Sequence, residues 1–594
     1  MKTLVTIDVE IYVNYFLISA LNSDTKKVIH FEMYDGKDLN RKSLLSMMTK
    51  YTTLSFNGNG FDLPIITAAL SGWPVAKLKR LCDEIIKSNK PSWMIVRNHD
   101  LNVPDNWDHI DIMEVAPGMA SLKIYGGRLN APTMQDLPIE PNAIITPEQR
   151  APMRDYCVND LETTYSLYKS LEKQVDLRVS MSEQYGVDLR SKSDAQIAET
   201  VIKSELQKKT GKKYRKPEIS ENEQFKYLPP GVVEFQGEQL KDIYNKVLSI
   251  KFGLAANGAV KMPPELAKAK IVIGNGSYNM GIGGLHSCEK AQTVHAGKGE
   301  HLLEVDVASY YPNIILQQNL APKSMGKPFL EVYQSIVDRR IRAKRSGDKV
   351  TADTLKICVN GSFGKLGSKW STLYAPELLL QTTITGQLAL LMLIESFELA
   401  GLTVYSANTD GVVVKCKSEQ LDLLRDICFD WMLSTSYELE ETHYKTLASR
   451  DVNNYFAVTT DGKVKRKGIF ANGGLAKNPD CNICFTAVTE LAANGIPLSE
   501  TITKCKDVTQ FVTVRKVTGG AVWRDEKLGK AVRFYYSKDV SENVNIEYAL
   551  NGNKVPKSDG ARPVMTLPDT LPADIDYKRY IAIAEDLLKG VGYA

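Results

Sequence analysis

The 594-residue sequence has no apolar run long enough to cross a bilayer. Its most apolar stretch, 388–394, falls far short of the ~20 residues required, so no membrane span is expected. A secretory leader is also missing: Met1 to Ile7 begins like one, but Asp8 and Glu10 break the apolar run. The nine cysteines are scattered except for Cys481 and Cys484, and no second CxxC or nearby histidine pair completes a four-ligand zinc site. The seven histidines form no ligand cluster. Reduced structural thiols in a cytoplasmic protein are therefore expected. There is little excess of either charge: the formal net charge of +4 is weak evidence for a nucleic-acid partner. Internal repeats and low-complexity tracts are absent.

What is present indicates a multidomain globular chain. With 43% hydrophobic and 24% charged residues the composition excludes disordered and fibrous classes. At ~150 residues per domain, about three to five units are expected. Short strands at 3–9 and 53–56 and a helix over 154–171 predict an α/β domain. Residues 190–291 are mixed, with a basic run at 208–216 and a glycine-rich one at 274–284. They read either as a connector that touches nucleic acid or as solvated loops. A strand at 302–307 follows, then helices at 329–345 and 351–363 separated by the breaker Ser346-Gly347-Asp348. A helix at 382–398 precedes a hairpin of 404–407 and 412–414 that turns at Asn408-Thr409-Asp410-Gly411. The tail ends in a helix at 577–588.

Two groups of carboxylates carry chemistry. Asp306 ends one strand and Asp410 tips the hairpin, so two such tips side by side could hold two divalent ions ~3.5–4 Å apart, the arrangement that activates a hydroxyl and stabilises a leaving pyrophosphate. Alone, an Asp-Gly turn is usually only a turn. Between them Lys356, Asn360 and Gly364 recur at i, i+4 and i+8 on one helix face, and Arg340 and Lys344 share a face of the preceding helix, where they could grip a triphosphate. In the N-terminal part, Asp8 and Glu10 alternate on a strand, Asp62 follows another, and Tyr156 and Asp160 share a helix face. Four acids from three elements can hold two metals that activate water against a phosphodiester.

The sequence resembles family B DNA polymerases in both regions. Asp306-Val307-Ala308-Ser309-Tyr310-Tyr311-Pro312-Asn313-Ile314-Ile315 resembles the first palm motif, Lys356 to Gly364 the fingers motif KxxxNSxYG, and Asn408-Thr409-Asp410-Gly411 the third motif, DTDS, in family order. Asn408 replaces the first aspartate of that motif, Ser406 stands at its tyrosine position with Tyr405 one step earlier, and Gly361 and Phe363 replace Ser and Tyr. Asn453-Asn454-Tyr455 resembles the primer-gripping KxY without its lysine, and Lys467-Gly468-Ile469 the strand after it. Tyr278 to Gly284 distantly resembles a template-contacting YxGG element. Asp8-Val9-Glu10, Asn57 to Asp62, and Tyr156 with Asp160 resemble the three motifs of the DEDD proofreading exonuclease, with Tyr156 orienting water.

The resemblance implies an α/β and α+β multidomain chain: an RNase H-like exonuclease domain at 1–176, connector and start of palm at 177–300, palm at 301–330 and 368–478, fingers at 331–367 and thumb at 479–594. It implies primer extension by nucleotidyl transfer with 3′-5′ proofreading. Mg²⁺ is the expected cofactor, two ions per site with Mn²⁺ as an alternative, held by Asp306, Val307 and Asp410 and by Asp8, Glu10, Asp62 and Asp160. Substrate-binding roles fall to Ser309, Tyr311 as sugar gate, Arg340, Lys344, Lys356, Asn360, Gly364 and Tyr455, and to Asn57 and Phe61 at the frayed primer end. Expected partners are primer–template DNA, deoxynucleoside triphosphates and replication accessory proteins, for a monomer without membrane contact. The exonuclease strand begins at Thr3, which leaves no room for the extra N-terminal domain of cellular relatives and suggests a bacteriophage or plasmid replicase. The intervals 306–356 and 360–410 leave no space for the insertions of protein-primed relatives, so a nucleic-acid primer is expected. Two other readings stay open: an exonuclease whose polymerase part is degenerate at Asn408, and a non-catalytic DNA-binding subunit.

Overall fold

The computed structural model describes residues 2–593 except 89 and 472. The chain forms two units, one of Met1–Ser193, Asn472–Ile483 and Ile502–Tyr580, the other of Asp194–Ala471, Cys484–Thr501 and Ile581–Ala594. The stretch 479–594, expected to form a thumb, divides between them.

In the first unit, strands β1 (Leu4–Ile11), β2 (Tyr15–Asn22), β3 (Val28–Tyr34), β4 (Thr52–Ser55) and β5 (His109–Asp111) form a sheet in the order β3-β2-β1-β4-β5. β1 is antiparallel to β2 and parallel to β4, so it is the central strand. Val5, Ile7, Val9 and Ile11 are buried in one apolar cluster. The two-residue period of a strand therefore sends Asp8 and Glu10 to the opposite face. Helix α1 (Asp62–Leu70) begins at an acid, and α2 (Leu122–Arg128) and α3 (Arg150–Ser170) follow. α3 packs on β1 and β2. Its Arg154 donates to Glu32 Oε1 of β3 at 2.9 Å. The same unit includes the antiparallel strands Thr513–Trp523 and Glu526–Tyr536. They are pinned to the N-terminal region by Arg533, a fully buried guanidinium. Its N–H groups donate to the carbonyls of Ala131, Pro132, Val564 and Met565 rather than to a carboxylate. Such saturation is what a buried cation requires.

The second unit is built on a ten-stranded sheet. Its strands are β6 (Ile271–Ile273), β7 (Gly276–Met280), β8 (Leu285–Ser287), β9 (Gln292–His295), β10 (Glu300–Val307), β11 (Thr403–Asn408), β12 (Gly411–Lys417), β13 (Leu439–Asp451), β14 (Asn454–Thr459) and β15 (Val464–Lys467). β10 lies between β12 and β13, antiparallel to both. Among the helices are α4 (Asp194–Thr210), α5 (Tyr310–Gln317), α6 (Lys327–Ser346), α7 (Lys349–Leu366), α8 (Pro376–Leu399) and α9 (Leu421–Thr435). The break between α6 and α7 is built as the sequence predicts: Gly347 caps α6 in the left-handed region, and the Asp348 side chain accepts from Thr351 N–H to start α7. α8 is longer than the apolar stretch singled out in the sequence. It has the length and composition of a bilayer crossing, but 83% of its most apolar window is buried inside the protein. α4, which reads as connector, packs on α6 and α7. The crossing is close: a Cβ at Gly361 would lie 2.7 Å from Asp194 O and 2.9 Å from Ala198 Cβ, which accounts for glycine there. Tyr405 falls at a bulge, where the pairing of β11 with β12 shifts between Val404 and Ser406, so the one-step displacement of the tyrosine has a structural cause.

Candidate active sites

The N-terminal acids converge. Ligand oxygens of Asp8, Glu10 and Asp160 all lie within 4.8 Å of one another. Asp62, only 3% exposed, approaches from the start of α1, and its Oδ1 is buried without a hydrogen-bond partner. Crowding has an electrostatic consequence. Desolvation, then the charge of Asp8, pushes the Asp160 carboxyl up to about 7. Desolvation followed by Asp8 and Asp160 holds Glu10 well above the usual carboxylate range. A site that concentrates negative charge at such cost is suited to hard cations. Tyr156 is buried on the same face of α3 as Asp160.

Several residues of this centre carry no local signal in the sequence. Against the desolvation that raises the carboxyls of Asp8, Glu10 and Asp160, Lys123 of α2 lowers all three, and its Nζ lies 5.2 Å from the Tyr156 ring centroid. The Cys157 thiol donates to Asp8 Oδ2 at 3.2 Å. Asp111, buried at the end of β5, accepts the N–H groups of Asn57 at 2.8 Å and Asn59 at 3.0 Å. It thereby shapes the loop in which Asn57 takes φ +67° and from which Phe61 leads into α1.

The second centre lies in the other unit. Asp306 of β10 pairs in register with Gly411, next to Asp410. Val307 N–H donates to Asp410 O at 2.8 Å, tying the turn to the end of β10. A Cβ at Gly411 would fall 1.9 Å from Asp306 Oδ1, so glycine lets the Asp306 carboxylate sit against the turn, and a larger residue there would have to move it. Desolvation, then Glu304, pushes the Asp306 carboxyl up to about 6, with Asp410 adding to the rise. Two lysines of β15 oppose this: Lys465 pairs with Glu304, which also accepts from Tyr444, and Lys467 lies near Asp410. Nothing in the sequence pattern points to Lys465. Beside the carboxylates is a cavity of about 310 Å³ lined by Ser309, Tyr310, Tyr311, Pro312, Arg340, Asn360, Phe363 and Asp410. Arg340 Nη1 donates to Ser309 Oγ at 3.0 Å, and Ser309 is held at φ +49°. Tyr311 stacks on Phe363 at 4.3 Å and donates to Gly283 O at 2.6 Å.

Not every expected residue reaches this cavity. Lys356 and Gly364 are exposed with Asn360 along one face of α7, but only Asn360 lines it. Lys344 pairs with Glu440 at 3.6 Å. Tyr455 is buried on β14 opposite Lys467 of β15, whose Nζ lies 5.9 Å from its ring centroid. Tyr278 is buried in the core. Asn408 is no carboxylate, and its amide holds the turn in place: Nδ2 donates to Val452 O at 2.9 Å and lies 3.5 Å from Asn453 Oδ1. Cys481 and Cys484 are buried thiols outside any disulfide.

Comparison with known proteins adds the following. No family model matches the chain. It is 26% identical over 208 residues to DNA polymerase 1 of Aeropyrum pernix, a stretch covering 29% of this chain and 21% of that protein. The match thus spans about a fifth of the relative's length. Among solved structures the chain is similar to the family B DNA polymerase from the hyperthermophilic archaeon Pyrobaculum calidifontis, with a TM-score of 0.43 and 14% identity over 100% of this chain and 77% of that one.

Proposed function

We propose that this protein is a DNA-dependent DNA polymerase of the family B type that extends a primer 3′-hydroxyl and removes mispaired 3′ ends in a separate exonuclease site. The observation that carries the reading is the pairing of Asp306 with the Asp410 turn beside a cavity lined by Arg340 and Asn360. The similarity to a protein named DNA polymerase 1 supports it.

Asp306, Val307 and Asp410 would hold the metal ions of synthesis, and Asp8, Glu10, Asp62 and Asp160 those of editing. The orphan Asp62 oxygen and the oxygen-only donor sets fit Mg²⁺ or Mn²⁺. Bound metal would supply activation of the attacking oxygen and neutralise charge on the leaving group. The chain's own residues do the positioning. Arg340 offers a guanidinium to the triphosphate, with Lys356 nearby on α7 as a point charge. Tyr311, stiffened by Phe363 and Gly283, forms a wall against the sugar, where a 2′-hydroxyl would clash. In the editing site Tyr156 orients the attacking water and Lys123 offsets the excess of negative charge.

Primer–template DNA and deoxynucleoside triphosphates are the proposed substrates, with a nucleic-acid primer and a phage or plasmid setting. A primer-extension gel with Mg²⁺, run with and without nucleotides, tests the reading. Longer products with nucleotides and shorter ones without are expected. Shortening alone in both lanes would leave only the exonuclease, and no change in either would reduce the chain to a DNA-binding subunit.

A further inference from the structure

Four residues beyond α7, the chain presents Trp370, whose indole is 77% exposed. Its loop is not loose. Ser371 and Leu373 on its C-terminal side are fully buried. Thr372 N–H donates to Glu199 Oε1 at 2.6 Å, Lys369 Nζ to Ala256 O at 2.7 Å, and Ala375 N–H to Leu366 O at 2.9 Å. A large apolar ring held out in water on a pinned loop leaves most of its face unburied by the fold that carries it.

The ring stands among cations. Lys216 Nζ lies 5.1 Å and Lys369 Nζ 5.4 Å from its centroid. Lys216 closes an exposed basic run, Lys212, Lys213, Arg215 and Lys216, that follows α4. None of these four makes an ion pair among the described residues. An exposed π-face bordered by unpaired cations suits a polyanion that carries flat bases. A duplex shows its phosphates but keeps its base faces stacked, so the indole selects for an unpaired strand.

We infer that Trp370, with Lys216 and Lys369 beside it and the exposed basic run that Lys216 closes, is a stacking platform for single-stranded DNA. On the polymerase reading above, on which this assignment of the strand rests, the occupant is the unpaired template. One base stacks on the indole while the lysines neutralise flanking phosphates, which makes binding tolerant of sequence and sensitive to salt.

The test is fluorescence anisotropy of a labelled oligothymidylate with the full chain, without nucleotide or metal. Trp370→Ala is expected to bind roughly 10-fold more weakly, as loss of one base–aromatic stack implies, whereas Trp370→Phe keeps most of the affinity. Lys213→Gln with Lys216→Gln should lower the slope of log affinity against log salt by about 1.4, at ~0.7 per phosphate contact. Affinity for a blunt duplex should stay the same in Trp370→Ala and Trp370→Phe, whereas the lysine variant, which loses phosphate contacts, weakens binding to both forms. Absence of oligothymidylate binding by the wild type, unchanged affinity in Trp370→Ala with an unaltered circular dichroism spectrum, an equal loss in Trp370→Phe, or an equal loss by Trp370→Ala on blunt duplex would each overturn the platform. The measurement is independent of catalysis: a chain that binds as expected but extends no primer would refute the polymerase reading and leave the platform standing.

Discussion

The two carboxylate centres solve one electrostatic problem in different ways. In the first unit, acids from β1, α1 and α3 are brought together by tertiary packing, and the excess charge is offset by Lys123, itself paired with Asp136, and by hydrogen bonds such as that from Cys157 to Asp8. In the second, Asp306 and Asp410 are neighbours because β10 and β12 pair, and Lys465 and Lys467 supply opposing charge from the same sheet. The difference teaches where each site is vulnerable. A centre assembled by packing depends on distant anchors, whereas a centre assembled by strand pairing depends on its own turn and its local charge balance.

The largest expected effect separates the two outright. Asp410→Ala should reduce primer extension by about 10³-fold, the several kcal/mol a bound metal's charge is worth, and leave 3′ degradation near wild type. Asp62→Asn should do the reverse, lowering degradation by roughly 10²-fold, because it neutralises an acid whose buried oxygen has no other partner. Both are read on one end-labelled primer. If either substitution impaired both activities alike, the centres would not be independent.

Legibility from sequence follows the same division. The strand pair of the second centre can be read to within three residues at its ends, because β-alternation, an Asp-Gly turn and the Gly347–Asp348 break are local signals. The acids of the first centre are legible as motifs, but their anchors are not. Asp111, Lys123 and Cys157 reach the site from elements that meet only in the fold, and no period or spacing marks them. The same holds for Arg533, which ties strands near the C-terminus to residues 131–132. Lys465 escapes a motif that looks for the lysine beside Tyr455, because the cation comes from the neighbouring strand.

A smaller effect tests the distant anchoring of the first centre. Glu32 lies on β3, yet it holds α3 through Arg154 and also accepts from Lys37 and Tyr15. Although burial pulls its carboxyl upward, these donors hold it down at about 2. A carboxyl depressed on folding adds stability that is fully present above its unfolded pKa, near 4.5, and is lost as pH falls toward 2. Glu32→Gln should therefore cost about 2 kcal/mol at neutral pH, the scale of hydrogen bonds to a charged group. The gap between wild type and variant should narrow from pH 5 to pH 3 in urea unfolding. Degradation should weaken with it, since α3 carries Tyr156 and Asp160, and extension should not. A gap independent of pH would mean that the Glu32 charge is not what anchors the helix.

The smallest effect bears on the second centre, and its direction is the informative part. Asn408 stands where the family pattern has aspartate, so Asn408→Asp would restore that pattern. The geometry opposes it. Asn408 donates its amide to Val452 O at 2.9 Å, and a carboxylate there would set oxygen against oxygen. It would also add negative charge beside Asp306, Asp410 and Glu304, where Lys465 and Lys467 already stand in opposition to three acids. The amide of Asn453, 3.5 Å away, occupies the position at which the family pattern has lysine, so the two departures are complementary: a neutral pair replaces a charged one. Asn408→Asp alone should lower extension roughly 10-fold, about the 1.4 kcal/mol of one hydrogen bond lost and one repulsion gained, without affecting degradation. Asn453→Lys in the same chain should return part of that loss, giving a coupling energy of at least ~0.5 kcal/mol in a double-mutant cycle. Extension that rises in Asn408→Asp, or additive effects in the double variant, would show that Asn408 is a weakened metal ligand and not the positioning amide of the turn.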